Sequence, residues 1–148
     1  MRGRNFLAVA LYLDDQDDEA FHRTQIGRYY YAAYLEARLF CERALDFERT
    51  RQSQEHRRVP QLISTIDQDT ADNLTFLRKY RNTADYDLDV SAETIARNVP
   101  QAELLAARII ARLDALAAAN PRPGPIPTDA HVRHTSAGLV VAALRRNA

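Results

Sequence analysis

The sequence predicts an all-α protein, an antiparallel up-and-down bundle of four or five helices. Alanine, leucine, arginine and glutamate dominate the composition, and all four favour helix. The chain has four glycines and no tryptophan among its 148 residues, which argues against a turn-rich β fold. Apolar residues also recur at steps of three and four, as on the buried face of a helix. We therefore expect one domain over 1–119, followed by a proline-rich linker and tail over 120–148.

The first two helices are predicted over about 4–13 and 19–45. An acidic run over 14–19 separates them, and its negative charge suits the start of a helix. Each helix has an apolar face that should pack against the rest of the bundle. These faces consist of Phe6, Val9, Ala10 and Leu13 in the first helix, and of Ile26, Tyr30, Ala33, Ala37, Phe40 and Ala44 in the second.

A short third helix over about 54–65 and a fourth over about 69–85 follow a polar segment. Pro60 is predicted in the first turn of the third helix, where its missing N–H costs little. The apolar positions are Val59, Leu62, Ile63 and Ile66 in the third helix, and Leu74, Leu77 and Ala84 in the fourth.

The fifth helix is predicted to start after Ser91, a good capping residue, with an apolar stripe that runs from Ile95 to Leu116. Pro100 interrupts the hydrogen-bond ladder but leaves the apolar stripe in phase, which predicts a kink. The alternative is a new helix start that Asn98 caps. Farther on, alternating prolines over 121–127 indicate a semi-rigid linker, and 139–144 could form a short helix.

Composition restricts the classes of function. The net charge is zero, so no overall field attracts nucleic acid, but arginine suits two-pronged contact with phosphate. The sole cysteine, Cys41, lies on an apolar helical face, which predicts a buried side chain and excludes an intrachain disulfide. His131 and His134 lack a carboxylate at metalloenzyme spacing, so we expect no metal and no other cofactor. Without a signal peptide or a membrane-spanning apolar run, a cytoplasmic protein is expected.

Arg81 is the strongest candidate for a functional group, because it lies on the apolar stripe of the fourth helix. A charged guanidinium there needs a carboxylate, a phosphate or a partner surface. One interpretation is an ion pair with Asp85, one turn later. The other is an anion site that opens onto a cleft or a subunit interface. On an unbroken helix Tyr86 would point about 140° away from Arg81, so the two should converge only if the helix ends near Asp85.

Four tyrosines crowd one stretch of the second helix. We expect them to pack in the core and at an interface, and a stacking platform for bases is the minor alternative. Arg28 precedes this stretch and could pair with an acidic residue of another helix. The tyrosines are Tyr29, Tyr30, Tyr31 and Tyr34.

Three segments resemble blocks of the HEPN superfamily, small helical-bundle proteins of prokaryotes and eukaryotes. Residues 28–37 resemble its second-helix signature, 56–62 its short middle helix, and 81–86 its fourth-helix block. Their order and spacing agree, and the resemblance covers about 4–118. It implies a helical bundle and a range of activities. Many members are metal-independent endoribonucleases, including toxins of toxin–antitoxin pairs and antiviral effectors, and others are non-catalytic and bind nucleotides or proteins.

The resemblance also implies a site. Nuclease members carry an arginine, a polar residue and then a histidine four to six positions on, and two copies form a composite site across a homodimer interface. Arg81 and Asn82 match the first two residues, but Tyr86 occupies the place of the histidine. Tyrosine titrates near ~10, so it is a poor base at pH 7, although it can donate a proton. In some toxins a nucleotidyltransferase modifies a tyrosine two positions farther on, and Leu88 stands there in this chain.

Two functional hypotheses follow. In the first, the protein is an RNA-directed member of a toxin–antitoxin or defence system and a weak metal-independent endoribonuclease. Arg81 would bind the scissile phosphate, and Asn82 and Asp85 would orient it. Tyr86 would supply the proton, with His56 assisting. The predicted site residues are Arg81, Asn82, Asp85 and Tyr86 for catalysis, and Arg28, His56, Arg57 and Arg78 for RNA binding.

In the second hypothesis the protein is a non-catalytic adaptor that binds a partner protein or a nucleotide, and Arg81 is tied to Asp85 as part of the fold. The missing histidine motivates it. The expected partners are a second copy of the chain, RNA, and a cognate antitoxin or nucleotidyltransferase-like protein, with no membrane contact.

Overall fold

A computed structural model describes residues 2–14, 17–50 and 52–119. This part of the chain forms five α-helices, which confirms the predicted all-α bundle. The predicted linker and tail over 120–148, with the short helix over 139–144 and the two tail histidines, lie outside the described residues. The helices are α1 (Asn5–Tyr12), α2 (Glu19–Ala44), α3 (Glu55–Ser64), α4 (Gln68–Tyr86) and α5 (Ala92–Ala119).

Helix α2 is the centre of the bundle and packs against each of the other four helices. Helix α4 also packs against α3 and α5. The predicted stripes face one another here, so each large apolar side chain removed from water stabilises the fold by about 1.5–3 kcal/mol. The fully buried residues include Ile26 and Cys41 of α2, Val59 and Ile63 of α3, Leu74 and Leu77 of α4, and Ile95 and Ile109 of α5.

Polar side chains fix the starts of three helices. The carboxylate of Asp18 accepts a hydrogen bond from the Ala20 amide at 2.8 Å at the start of α2. Asp67 accepts one from the amide of Thr70 at 3.0 Å at the start of α4. The predicted Ser91 cap of α5 is confirmed, since its hydroxyl accepts a hydrogen bond from an α5 amide. Each such cap typically stabilises a helix by about 1 kcal/mol.

The two prolines inside helices behave differently from the predictions. Pro60 is the sixth residue of α3 and lies in its second turn, so the prediction of a first-turn position was wrong. Helix α5 runs through Pro100, so the alternative of a new start at Asn98 was wrong. In both helices the packing of the apolar stripe outweighs the loss of one hydrogen bond.

The predicted apolar faces were wrong at two positions. Val9 of α1 is 46% exposed, and Ile66, just beyond α3, is 45% exposed. Helix α1 has eight residues and packs on α2 alone, so it buries only a narrow strip around Ala10. A periodic pattern locates an apolar face but does not say how much of it a neighbour covers.

Cys41 is fully buried between α2 and α3, as predicted. Its thiol lies 3.9 Å from the carbonyl oxygen of Val59. Burial, together with the charge of Glu42, raises the pKa of the Cys41 thiol to about 12. The thiol is therefore a packing group and not a nucleophile.

None of the five helices in the described ranges is long and apolar enough to cross a membrane.

Two glycines should respond to alanine in opposite ways. A Cβ on Gly27 of α2 would meet nothing closer than the Asp85 carboxylate at 3.8 Å, so Gly27→Ala should stabilise the fold by about 0.5–1 kcal/mol. A Cβ on Gly3 would lie 2.6 Å from the backbone oxygen of Ala32, so Gly3→Ala should destabilise it by about 1–3 kcal/mol. Urea unfolding of both variants beside the wild type measures the two changes. Equal changes would contradict this account of how closely the segment before α1 approaches α2 at Gly3.

Candidate functional site

A polar cleft of about 870 Å³ lies where the start of α3 meets the C-terminal end of α4. It brings His56 of α3 close to Arg78 and Arg81 of α4, at least 22 positions farther along the chain, because α3 packs along α4. Among its lining residues are His56, Arg78, Arg81, Asn82, Tyr86 and Leu88.

Arg81 is held in place from several sides. Its Nε lies 2.7 Å from the Asp85 carboxylate, which confirms the predicted ion pair. Its Nη1 donates a hydrogen bond to the side-chain oxygen of Asn82 at 3.2 Å, and its Nη2 donates one to the hydroxyl of Tyr31 at 3.4 Å. The side chain is 18% exposed and also lines the cleft. The ion pair and an opening to a cleft, which the sequence presents as alternatives, therefore occur together.

Tyr86 lies beside this guanidinium. Helix α4 ends at Tyr86, next to Asp85, so the predicted condition for convergence is confirmed. The ring centroid is 5.0 Å from Cζ of Arg81, because both side chains are long and Tyr86 is the last helical residue. This is a cation–π distance. Tyr86 is 71% exposed, so most of the residue faces the solvent.

His56 is the group that joins the cleft to the tyrosine cluster. Its Nδ1 lies 2.6 Å from the hydroxyl of Tyr30, and its ring stacks on that of Tyr34 with the centroids 4.2 Å apart. The packing role predicted for the tyrosines is confirmed, since Tyr29, Tyr30 and Tyr34 are each at most 3% exposed. A platform for bases on these three rings is excluded by the same burial.

Pro60 leaves the backbone carbonyl of His56 without its helical donor, and Arg78 binds that carbonyl. The nitrogen of Pro60 has no hydrogen, so it cannot donate to the carbonyl of His56, its partner four residues earlier in a regular helix. Nη1 of Arg78 donates to that carbonyl instead, at 3.4 Å. The proline therefore leaves an acceptor free for an arginine of α4, and one of the two cleft arginines is attached to α3.

The arginines give the cleft positive charge, but the imidazole of His56 is uncharged at neutral pH. Burial lowers the pKa of His56, and the charges of Arg78 and Arg81 lower it further. Burial raises the pKa of Tyr30, so its hydroxyl keeps its proton at neutral pH. The cleft therefore offers two guanidinium groups, one of them paired with Asp85, beside an uncharged imidazole. Such a set can bind a phosphate and can transfer a proton.

Arg23 holds the rim of the cleft, and the sequence did not indicate it. Its guanidinium donates to the carbonyls of Ala84 at 2.8 Å, Asp87 at 3.0 Å and Val90 at 3.2 Å. It also forms an ion pair with Glu19, one turn earlier on α2. These bonds satisfy carbonyls at the end of α4, where no helical donor follows. The i,i+4 pair is visible in the sequence, but the carbonyl partners depend on how α2 and α4 pack.

Two of the predicted RNA-binding residues do not lie in the cleft. Arg28 is half-buried, with its Cζ 5.6 Å from the ring centroid of Phe6. Arg57 is exposed on α3 and does not line the cleft. The structure thus brings together His56, Arg78 and Arg81, and leaves Arg28 and Arg57 outside this group.

The described residues contain no group of three or more His, Cys, Asp or Glu side chains placed to hold a metal ion. Comparisons of the chain with protein-family models, curated proteins and solved structures found no significant match.

Replacing Arg23 by methionine should loosen the rim of the cleft. The change keeps the apolar stem but leaves the carbonyls at the end of α4 without a donor, so we expect a loss of about 1–3 kcal/mol in unfolding free energy. Amide hydrogen exchange over 83–90 should also become faster. Arg108→Met, at an exposed position of α5, is the matched control and should change neither quantity. If both variants behave alike, Arg23 does not hold this segment.

The lowered pKa of His56 predicts a pH dependence of stability. The folded protein binds a proton on His56 less readily than the unfolded chain, whose histidines titrate near ~6.5. The wild type should therefore lose stability as the pH falls from that value through the lower folded-state pKa. His56→Gln removes this contribution, so the difference in unfolding free energy between the two proteins should change across this range. Urea unfolding at several pH values measures it, and a constant difference would contradict the shift.

Proposed function

We propose that this protein is an RNA-directed member of the HEPN superfamily, acting as a metal-independent endoribonuclease in a toxin–antitoxin or antiviral defence system. The observation that carries the proposal is the convergence of Arg78, Arg81 and His56 in one polar cleft. The three resembling segments support the proposed family and biological setting, and the cleft supports the proposed chemistry.

The cleft suits a phosphodiester. Guanidinium groups bind phosphate oxygens with directed hydrogen bonds, and two of them line the cleft beside a group that can transfer a proton. Its volume of about 870 Å³ is that of an ordinary small-ligand site. RNA also provides its own nucleophile, the 2′-hydroxyl, so cleavage of this kind needs positive charge and proton transfer but no metal.

A second cavity supports binding of a polynucleotide. It has a volume of about 420 Å³ and shares Ser53 and His56 with the cleft. Arg38 and Arg49 are among its lining residues. Both arginines form ion pairs with Glu42, and Glu55 also lines the cavity. A strand that placed one phosphate at Arg81 could pass His56 and reach these arginines, which would exchange a glutamate partner for a phosphate, as in sites for single-stranded RNA.

A homodimer would place two such clefts face to face. Tyr86 and Leu88 line the cleft and are 71% and 80% exposed. Exposed tyrosine and leucine side chains beside a polar site suit burial against a partner, and tyrosine is enriched at interfaces. We therefore place the two-fold axis at this end of α4, where each copy would add its arginines to a composite site in the cytoplasm.

The second candidate function is that of a non-catalytic adaptor for a partner protein or a nucleotide. Two observations favour it. Arg81 is already paired with Asp85 at 2.7 Å, and Tyr86 stands where the nuclease members have a histidine. In this case Arg81 contributes to the fold, so replacing it lowers the melting temperature of the protein. Neither the wild type nor the variant cleaves RNA.

Arg81→Ala distinguishes the two functions. With purified protein and single-stranded RNA in EDTA, the wild type should cleave, and Arg81→Ala should be slower by roughly 10²–10³-fold, because it loses charge stabilisation of the transition state. Arg108→Ala, on the exposed face of α5, should cleave like the wild type. RNA that stays intact with the wild type, together with a lower melting temperature for Arg81→Ala alone, would establish the adaptor and refute the nuclease.

A further inference from the structure

We propose that His56 is the proton donor of this cleft: uncharged in the free protein, it takes up a proton when a phosphodiester binds, and Tyr30 is its positioning residue. The inference deepens the proposed nuclease function and rests on it. It moves the proton-transfer step from the exposed Tyr86 on α4 to a half-buried ring on α3.

The bond between Tyr30 and His56 determines which nitrogen of the free imidazole carries hydrogen. The Tyr30 residue is 2% exposed, and its hydroxyl lies 2.6 Å from Nδ1. Within the described chain no second acceptor lies at that hydroxyl, so we infer that its hydrogen points to Nδ1, where it is paired. The uncharged ring therefore carries its own hydrogen on Nε2. Nε2 has no partner among the described residues, and His56 lines the cleft, so this N–H is available to a ligand.

Burial, and then the charges around His56, explain why it is uncharged, and a change in those charges would favour its protonation. Guanidinium groups on α4 oppose a second proton on the ring, and the carboxylate beside it on α3 favours one but is outweighed. A phosphodiester in the cleft would offset the guanidinium charges and add an attraction of its own, so binding should draw a proton onto the ring. The groups that face His56 are Tyr30, Tyr34 and Arg38 from α2, Glu55 from α3, and Arg78 and Arg81 from α4.

A tyrosine hydroxyl can serve both states of the ring. It donates to Nδ1 of the uncharged imidazole, and it can accept from Nδ1–H once the ring is protonated, because a hydroxyl is both donor and acceptor. In the second state its own hydrogen has no acceptor in the described part of the chain, which is a further reason why the free ring is uncharged. The ring can therefore gain and lose its proton without leaving its place against Tyr34. Phenylalanine at position 30 would keep the shape but support neither state.

Cleavage then transfers one proton from the RNA to water and one proton from His56 to the RNA. The 2′-hydroxyl of the RNA loses its proton to a solvent water molecule, and its oxygen forms a bond to phosphorus. The bond from phosphorus to the 5′-oxygen breaks, and that oxygen takes the proton from Nε2 of His56. The products are a 2′,3′-cyclic phosphate and a 5′-hydroxyl end, and the ring is left uncharged with its hydrogen on Nδ1. Proton exchange with water, which adds a proton at Nε2 and removes the one at Nδ1, then restores the starting tautomer.

NMR of the ring nitrogens tests the proton uptake without RNA. Full-length protein labelled with ¹⁵N is titrated with acid in the absence and presence of sulfate, which serves as the probe for the phosphate. We expect the free protein to carry hydrogen on Nε2 of His56, and sulfate to increase the proton affinity of this ring about tenfold. His22, near the start of α2, provides an internal reference in the same spectra. A His56 ring that sulfate leaves unchanged would overturn the proposal.

Tyr30→Phe tests the positioning role. In this variant the ring should populate both uncharged tautomers, a result that a loss of packing alone would not produce. Circular dichroism confirms that the variant is folded. If Tyr30→Phe keeps hydrogen on Nε2 alone, Tyr30 does not position the ring.

RNA cleavage separates this inference from the proposed function. His56→Gln should be slower than the wild type by about 10²–10⁴-fold and should lose the dependence of the rate on the protonation of His56. His22→Gln is the control and should match the wild type. Cleavage that His56→Gln retains would refute the role of His56 but leave the nuclease. Wild-type protein that leaves RNA intact would refute the nuclease and with it the role of His56 as proton donor.

Discussion

The burial of tyrosine hydroxyls on α2 is the constraint from which the cleft follows. The three rings that complete the core bring polar atoms into the interior, where an unpaired hydroxyl costs free energy. The Tyr29 hydroxyl has no hydrogen-bond partner in the described part of the chain. Tyr30 finds its partner in His56. Tyr31, which is only partly buried, accepts a hydrogen bond from Arg81. The same helix face that packs the bundle therefore fixes a histidine of α3 and an arginine of α4, and a polar site arises as a consequence of how the core is closed.

Two interruptions of regular helix complete the arrangement. Pro60 removes a donor in α3 and leaves a carbonyl to which Arg78 binds. The end of α4 leaves carbonyls that Arg23 of α2 binds. In both places an arginine from a neighbouring helix replaces a missing backbone N–H. The rim of the cleft is therefore held by three helices, although each contributes only a few residues to it.

Patterns among residues that are close together in the sequence were enough to predict much of this structure. The helices, the Ser91 cap, the burial of Cys41 and the pair of Arg81 with Asp85 all involve residues within one or two turns of each other, and the sequence predicted them. It did not predict the bond between Tyr30 and His56, because 26 positions separate them and the contact depends on how α3 packs against α2. The HEPN resemblance, the dimer and the action on RNA remain predictions, since they concern molecules beyond this chain.

The position of Cys41 makes its thiol a natural probe for the separation of α2 from α3. The sole thiol of the sequence sits fully buried at the contact of α2 with α3, which is also the contact that seats His56. A thiol-specific reagent can reach it only when these helices separate. The labelling rate under native conditions would therefore give the free energy of that separation, and it would indicate whether the cleft opens as a local event or only with the whole bundle.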